Sequence, residues 1–260
     1  MPKIESYAQG TPSYVELQTP DQEAAKAFYG ALFGWSSEDA PLDDEGHYYV
    51  RATLEGDVVA GLAGQMPQLA GHPAFWGVYL AVDDVDAAAA KVAGAGGSVE
   101  AGPFDVGPHG RMVAIKDPTD ARVNLWQAYG HIGTGRANEP GTPIWNELVS
   151  PDLETATKFY ADVLGVEWQA QDMPGGSYTT LVSGGRPVGG AMLPPMEGIP
   201  PHWNVYFNVA SCDETVAQAQ ELGGKVLAPA FDVPGVGRMA FLADPQGAMF
   251  ALMENPSDES

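Results

Sequence analysis

The chain has 260 residues, of which 45% are apolar and 10% aromatic. At about 150 residues per domain this length predicts roughly two domains, and the aromatic content excludes a mainly disordered chain. Lys and Arg number 12 against 34 Asp and Glu, so the formal net charge is −22. A protein this acidic repels phosphate backbones and anionic lipid headgroups, and we therefore expect neither nucleic-acid nor membrane partners.

Cysteine usage and the N-terminal sequence predict a cytoplasmic protein. Cys212 is the only cysteine, so no internal disulfide is possible, which fits a reducing compartment. The N-terminus lacks the apolar core and the cleavage pattern of a secretory signal. No apolar run approaches the roughly 18 residues that a membrane span requires.

The chain contains an internal duplication, which shows as short strings that recur at two offsets. At an offset of 131 residues, Gly10-Thr11-Pro12 and Phe28-Tyr29 recur. At an offset of 127 residues, four further elements recur: Trp76, Phe104-Asp105-Val106, Gly110-Arg111-Met112 and Asp117-Pro118. We predict an N-terminal segment at 1–10, a first domain at 11–128, a Gly-rich linker at 129–141, a second domain at 142–255 and a tail at 256–260.

The sequence pattern predicts two similar units of strands and a helix in each half. The first begins with an alternating strand at Tyr14–Leu17, then a helix with Thr19-Pro20 at its start and Gly34 at its end. Strands follow near 47–54 and 58–62. A second unit has a strand at 76–82, a helix from Asp83-Asp84 to Gly94, and strands near 99, 111–115 and 123–127. The second half repeats the pattern, with Ser150-Pro151 at the start of its first helix.

Ordered motifs of both halves resemble the vicinal oxygen chelate superfamily, which holds the glyoxalases, bleomycin-resistance proteins and extradiol dioxygenases. The first half carries the resemblance in Leu17, Phe28-Tyr29, Leu32-Phe33-Gly34, Val82-Asp83-Asp84, Gly96-Gly97, Arg111 and Asp117-Pro118. The second half carries it in Ser150-Pro151-Asp152, Phe159-Tyr160, Leu164-Gly165, Gly223-Gly224, Arg238 and Asp244–Gly247. More narrowly, the chain looks like the tandem actinobacterial branch labelled hydroxylase-like or glyoxalase-like. The resemblance implies an α+β fold of four βαβββ modules that form two cups for small molecules.

The family's metal enzymes use His, Gln or Glu ligands, and this chain departs from that pattern. Counting from the shared motifs places the four ligand positions of the halves at Tyr14, Gly61, Gly77 and Asn124, and at Trp145, Gly190, Asn204 and Ala251. Tyr, Trp, Gly and Ala offer no imidazole or carboxylate, and an amide is a weak ligand. We therefore predict no metal and no other cofactor. His202 with Glu147 is the best remaining metal alternative, against a loop histidine near a strand start.

Strand alternation places one carboxylate per half on the predicted cup face. Glu16 shares the face of Tyr14, and Glu147 shares the face of Trp145. In an apolar cup such a carboxyl group has a raised pKa and serves as a candidate base; the structural alternative is a rim carboxylate or one satisfied by a hydrogen-bond donor. Tyr79 corresponds to Tyr206, and both are candidates to bind a carbonyl or phenol or to form the cup wall.

Four further side chains are candidate ligand contacts. Trp126 and Met253 are in phase with the cup face. Arg111 and Arg238 correspond to each other, and each is either an anion clamp at a cup mouth or the partner of Asp105 and Asp232. Trp76 and Trp203 are out of phase and are predicted to pack under helices. No nucleophile motif or phosphate-binding loop is present in the sequence.

Three functions follow from these features. The first is a metal-free binding protein of the glyoxalase/bleomycin-resistance type for an apolar or aromatic oxygenated metabolite, acting as a pseudo-dimeric monomer or a homodimer. The second is a metal-independent, hydroxylase-like enzyme or accessory protein in secondary metabolism, with Glu16 or Glu147 as base. The third is a metal-dependent glyoxalase-type lyase, which the ligand positions disfavour. The sequence leaves open which modules share a cup.

Overall fold

The structure is a computed structural model that describes residues 3–42, 47–65, 71–173 and 176–256. The predicted tail lies outside these ranges from residue 257 onward. The first half forms β1 (Pro12–Thr19), α1 (Gln22–Phe33), β2 (Ser36–Pro41), β3 (Tyr48–Leu54), β4 (Asp57–Gly64), β5 (Phe75–Ala81), α2 (Val85–Val92), β6 (Ser98–Val106), β7 (Gly110–Lys116) and β8 (Arg122–Ala128).

The second half repeats this order of elements. It forms β9 (Pro143–Val149), α3 (Leu153–Leu164), β10 (Glu167–Met173), β11 (Gly176–Ser183), β12 (Arg186–Met192), β13 (His202–Asn208), α4 (Cys212–Glu221), β14 (Lys225–Val233), β15 (Gly237–Ala243) and β16 (Met249–Glu254). The predicted α+β fold of four βαβββ modules is therefore confirmed.

Each half forms one eight-stranded sheet from two modules that are neighbours in sequence. The strand orders are β2-β3-β4-β1-β5-β8-β7-β6 and β10-β11-β12-β9-β13-β16-β15-β14. The first strand of each half lies at the centre, parallel to the last strand of its own module and antiparallel to the first strand of the next. Central strands position their side chains most rigidly, so residues of β1, β5, β9 and β13 define the two candidate sites.

The first helix of each half begins two residues later than the sequence predicts, whereas α2 has its N-cap at Asp84 within the predicted Asp83-Asp84 start. Asp21, and not Thr19, is the N-cap of α1 and accepts a hydrogen bond from the Ala24 backbone N–H at 3.0 Å. Asp152 caps α3 in the same way. Thr19 is buried, and its hydroxyl oxygen accepts from the Asp21 backbone N–H. Asparagine and aspartate are favoured at the N-cap because their side chains reach the first free backbone amides.

A single hydrophobic core joins the two halves. It contains apolar residues of both sheets and all four helices, and Phe33 of α1 packs against Phe207 of β13 with ring centroids 4.9 Å apart. Trp76 and Trp203 lie in this core, as predicted from their phase. Among the residues that the structure describes, no helix is long and apolar enough to span a membrane.

A buried hydrogen-bond relay crosses between the halves. Trp76 Nε1 donates to the Tyr29 hydroxyl at 3.0 Å, and that hydroxyl donates to Asp244 Oδ2 of the other half at 3.0 Å. The duplicate relay runs through Trp203, Tyr160 and Asp117. The recurring Phe-Tyr and Asp-Pro motifs are therefore complementary parts of one interface between the halves.

Candidate functional site

A cavity of about 1380 Å³ lies against the second sheet, and residues 11–15 around the start of β1 and the linker residues Thr134, Ala137 and Asn138 also border it. This volume exceeds the roughly 300–1,000 Å³ of ordinary small-molecule sites. Its wall is mainly apolar and aromatic, and strands β9, β13, β15 and β16 supply Trp145, Tyr206, Met239, Phe241 and Met253. We call the face of the second sheet that carries Glu147 the second cup, and the face of the first sheet that carries Glu16 the first cup.

Large apolar side chains also stand at the border of this cavity in contact with solvent. Met196 is 68% exposed and Phe231 is 40% exposed, and both line the cavity. Leu227 and Met249 are likewise exposed lining residues. Exposed apolar residues that cluster at a cavity are characteristic of a binding groove, whereas single exposed apolar residues are common on any protein surface.

Glu147 is the only carboxylate among the described lining residues, and it is 4% exposed. Tyr206 Oη donates to its Oε2 at 2.7 Å. Tyr178 and Asn204 also donate hydrogen bonds to this carboxylate. Glu147 lies on β9 opposite Asn204 of β13 and Gly190 of β12, and Tyr178 comes from β11, so four neighbouring strands bring this group together.

Gly190 makes room for Tyr178. A Cβ atom at position 190 would clash with the Tyr178 hydroxyl oxygen, so only glycine allows that hydroxyl to lie over the strand. Trp145 Nε1 donates to the same oxygen at 2.8 Å, which leaves the Tyr178 hydroxyl proton for Glu147. The residues at two presumed metal-ligand positions, Trp145 and Gly190, therefore position a tyrosine instead.

Burial sets the protonation behaviour of this centre. It raises the pKa of Glu147 above its ordinary value, and the hydrogen bonds from Tyr206, Tyr178 and Asn204 offset part of that rise because they favour the charged form. Burial and the nearby carboxylate raise the pKa values of both tyrosines, which stay neutral donors. Glu147 is thus a carboxyl group suited to accept or donate a proton nearer neutral pH than an exposed glutamate.

The raised pKa of Glu147 predicts a pH-dependent penalty on stability. The folded state binds this proton more tightly than the unfolded state, so the contribution of Glu147 to stability falls as the pH rises above the ordinary value of 4.5. Each unit of pKa elevation corresponds to about 1.4 kcal/mol. We expect the Glu147→Gln variant to become progressively more stable than the parent from pH 4.5 to pH 8, by urea denaturation. The exposed Glu221→Gln control should follow the parent, and parallel curves for Glu147→Gln and the parent would contradict the raised pKa.

The first cup carries an equivalent centre. Glu16 accepts hydrogen bonds from Tyr49 at 2.8 Å, from Tyr79 at 3.0 Å and from Gln18 at 2.6 Å. The Tyr14 hydroxyl lies 3.0 Å from the Tyr49 hydroxyl, in the place that the Trp145 indole takes in the second cup. Burial raises the pKa of Glu16 as well.

Aromatic side chains of the protein itself occupy much of the first cup. Tyr14, Tyr79 and Trp126 are each 6% exposed and form one packed cluster. The linker adds His131, whose ring lies 4.9 Å from that of Tyr14 and whose carbonyl accepts from Trp126 Nε1 at 2.8 Å. Burial lowers the pKa of His131 to about 4, so it packs as a neutral ring. The halves thus differ in the space that their cups leave for a guest.

The predicted site residues fall into three groups in the structure. The residues that line the cavity are Tyr14, Trp145, Glu147, Asn204, Tyr206 and Met253. The residues that belong to the centre or the wall of the first cup are Glu16, Tyr79, Asn124 and Trp126, together with Tyr14, which packs in the first cup and also borders the cavity.

The third group is the pair of arginines, which take the structural role and not the ligand-binding one. Arg111 donates to Asp105 at 3.0 Å and to Asp86 at 2.8 Å. Arg238 makes the same two contacts, with Asp232 at 3.0 Å and Asp213 at 2.7 Å. Each guanidinium links a strand to the neighbouring helix through its Nε, Nη1 and Nη2 groups, which is the pairing with Asp105 and Asp232 that the sequence analysis gave as the alternative to an anion clamp.

Tyr49 and Tyr178 are the site residues that the sequence analysis missed. They correspond to each other at an offset of 129 residues, between the two offsets that the recurring strings define. A search for single chemistry-bearing residues at intermediate offsets would have found them. Their function depends on Gly61 and Gly190, where a Cβ atom would meet their hydroxyl oxygens.

The donor set of either cup does not fit the divalent metal of the family's metal enzymes. Three of the four corresponding positions in the second cup are Trp145, Gly190 and Ala251, and Glu147 is held by hydrogen-bond donors. The ring nitrogens of His202 lie 2.8 Å from the Pro200 carbonyl and 2.9 Å from Asn204 Oδ1. Within the described ranges, no three His, Cys, Asp or Glu residues are grouped to hold an ion.

The chain belongs to the Glyoxalase/Bleomycin resistance protein/Dioxygenase superfamily, whose model matches residues 11–125 and 142–252. It is 48% identical over 256 residues to CFP32 of Mycobacterium tuberculosis, whose name assigns it provisionally to the glyoxylases, with 98% of both chains covered. It is 35% identical over 261 residues to the anthracycline biosynthesis protein DnrV of Streptomyces peucetius, with 95% of this chain and 94% of DnrV covered.

A solved structure shows the same fold. The Mn(II)-bound glyoxalase from Novosphingobium aromaticivorans superposes with a TM-score of 0.61 at 19% identity, over 95% of this chain and 83% of that one. At this identity the likeness concerns the fold alone. The predicted family resemblance is confirmed.

Proposed function

We propose that the chain is a small-molecule-binding protein that holds an apolar or aromatic oxygenated metabolite in its second cup without a metal ion. The observation that carries this proposal is the 1380 Å³ cavity with Glu147, Tyr178 and Tyr206 at the place of the family's metal site. A carboxylate that is already held by three protein donors is poorly placed to coordinate an ion, and well placed to orient an organic guest.

The wall of the second cup favours a flat guest of several rings. Trp145, Tyr206 and Phe241 present aromatic side chains, and aromatic pairs contribute about 0.5–1.5 kcal/mol beyond the apolar area that they bury. Met239 and Met253 add adaptable apolar surface. The polar centre would then bind one oxygen-bearing edge of the guest.

The named role of a relative supports the same class of ligand. DnrV is named for anthracycline biosynthesis, and anthracyclines are oxygenated polycyclic compounds with aromatic rings. A molecule of that size matches a cavity larger than ordinary small-molecule sites. We extend to this chain only the chemical class, an oxygenated polycyclic aromatic compound.

A metal-independent enzyme is the second candidate, and the repeated Glu–Tyr–Tyr group favours it. Glu16 with Tyr49 and Tyr79 matches Glu147 with Tyr178 and Tyr206. In the second cup, Glu147 would remove a proton from a carbon that is conjugated to a carbonyl, and the protonated Glu147 would release the Tyr206 hydroxyl to donate a hydrogen bond to the enolate oxygen. This chemistry needs no ion.

Anthrone, a planar tricyclic ketone with an acidic C–H group, separates the two candidates. The protein is incubated with anthrone in D₂O under anaerobic conditions, and binding and deuterium uptake at the CH₂ group are followed by fluorescence and mass spectrometry. A binding protein gives saturable binding with uptake at the rate of buffer alone. An enzyme gives accelerated uptake, and Glu147→Gln should reduce it about 100-fold while Glu16→Gln, the matched control in the first cup, leaves it unchanged. The absence of any saturable binding would contradict both candidates.

A further inference from the structure

The second cup has an unusual balance of charge. Of the lining residues that the structure describes, none is Lys or Arg, and Glu147 is the one carboxylate. The chain around the cavity carries a net charge of −22. Clefts with one sign of charge and low-dielectric walls concentrate ligands of the opposite sign.

His202 is the one basic side chain among the lining residues that the structure describes. Its two ring nitrogens lie within hydrogen-bond distance of the Pro200 carbonyl oxygen and of Asn204 Oδ1. Asn204 in turn donates to Glu147. The Asn204 side chain therefore lies between the His202 imidazole and the Glu147 carboxylate, and these two groups do not form an ion pair.

The Glu147 carboxylate can also accept a further hydrogen bond. A carboxylate offers about four acceptor positions, and Tyr206, Tyr178 and Asn204 fill three of them. Tyr206 donates to Oε2 at 2.7 Å, and with Tyr178 and Asn204 as the other donors at least one acceptor position is open to a donor of the guest. Trp145 and Tyr178 line the same cavity, and aromatic rings of this kind attract cations to their faces.

We propose that the second cup selects polycyclic guests that carry a protonated amine, with the ammonium group donating to Glu147. This inference rests on the proposed function and adds the charge of the ligand to it. An ammonium group supplies both the missing donor and the missing counter-charge, whereas a hydroxyl supplies only the donor. A guest with a carboxylate in that place meets Glu147 as a like charge, with no Lys or Arg among the described lining residues to compensate.

Three probes of the same shape test the proposal: 9-(aminomethyl)anthracene, 9-anthracenemethanol and 9-anthracenecarboxylate. Each is titrated at pH 7 in 0.3 M NaCl, which screens the long-range field of the acidic chain, and binding is followed by probe fluorescence. We expect the amine to bind at least 10-fold more tightly than the alcohol, and the carboxylate to bind most weakly. Glu147→Gln should reduce the ratio of amine to alcohol affinity to about one, and Glu221→Gln, at an exposed position outside both cups, should leave the ratio as in the parent.

The outcomes separate this inference from the function on which it rests. Equal affinity for the amine and the alcohol would overturn the selection of cations while supporting an aromatic binding site. A preference for the amine that persists in Glu147→Gln would overturn the role of Glu147. Failure of all three probes to bind saturably would count against the proposed function itself.

Discussion

Replacing Asp244 by alanine is expected to lower the free energy of unfolding by about 3 kcal/mol. Asp244 is 4% exposed, and it accepts hydrogen bonds from the Tyr29 hydroxyl and from the backbone N–H groups of Gln246 and Ala248. The substitution leaves these buried donors without their acceptor, and each orphaned group costs about 1–3 kcal/mol. Water that enters the space left by the Asp244 side chain can accept from some of these donors, so the expected loss is smaller than the summed cost of all three. Urea denaturation followed by tryptophan fluorescence and circular dichroism measures the change.

The duplication supplies a matched control for this experiment. Asp117 of the other half accepts from Tyr160, Thr119 and Ala121 in the same arrangement, so Asp117→Ala should cost a similar amount. Asp213→Ala removes an exposed partner of Arg238 and should cost far less. If Asp244→Ala and Asp213→Ala had equal effects, the relay between the halves would not contribute to stability as described.

Replacing Met253 by tryptophan should reduce ligand affinity by more than 100-fold with little change in stability. Met253 lines the second cup, and its counterpart in the first cup is Trp126, which helps to fill that cup. Met253 is 7% exposed and packs with Tyr206 and Ala251 at the cavity wall, so the larger indole would extend into the cavity and compete with the guest there. Titration with 9-anthracenemethanol measures the affinity, and thermal unfolding measures the stability.

The reciprocal substitution is the control for this blocked cup. Trp126→Met makes the first cup resemble the second and should leave the affinity of the second cup within 2-fold of the parent. Parent-like affinity in Met253→Trp would show that the guest binds elsewhere. A loss of affinity in both variants would point to a site that the two halves share.

The sequence predicted the fold well because its signals are local and are repeated. Alternation at Tyr14–Leu17 and the helical spacing of Phe28 and Tyr29 depend only on neighbouring residues, and both occur again in the second half. Strand β2 escaped prediction because all of its residues but Ala40 are exposed, so it shows no apolar alternation. The N-caps were placed too early because Thr19 and Asp21 are both good capping residues by composition.

The site was predicted in part, because tertiary contacts decide the rest. The cup-facing position of Glu147 follows from alternation in one strand. Its tyrosine donors do not, since Tyr178 reaches it only because Gly190 on a third strand leaves room for the hydroxyl group. The difference between the cups also lies outside local pattern, because it depends on the linker residue His131 packing over the first cup.

The most direct test of a metal-free binding site in the second cup is one equilibrium titration. The unmodified protein is treated with EDTA, dialysed and titrated with 9-(aminomethyl)anthracene, with the fluorescence of Trp145 and the other tryptophans as the signal. A metal-free site predicts saturable binding of one probe molecule per chain, unchanged when Mn²⁺ or Zn²⁺ is added back. Binding that is absent in EDTA and appears only with the added ion would contradict it and would make Glu147 and His202 the first candidates for metal ligands.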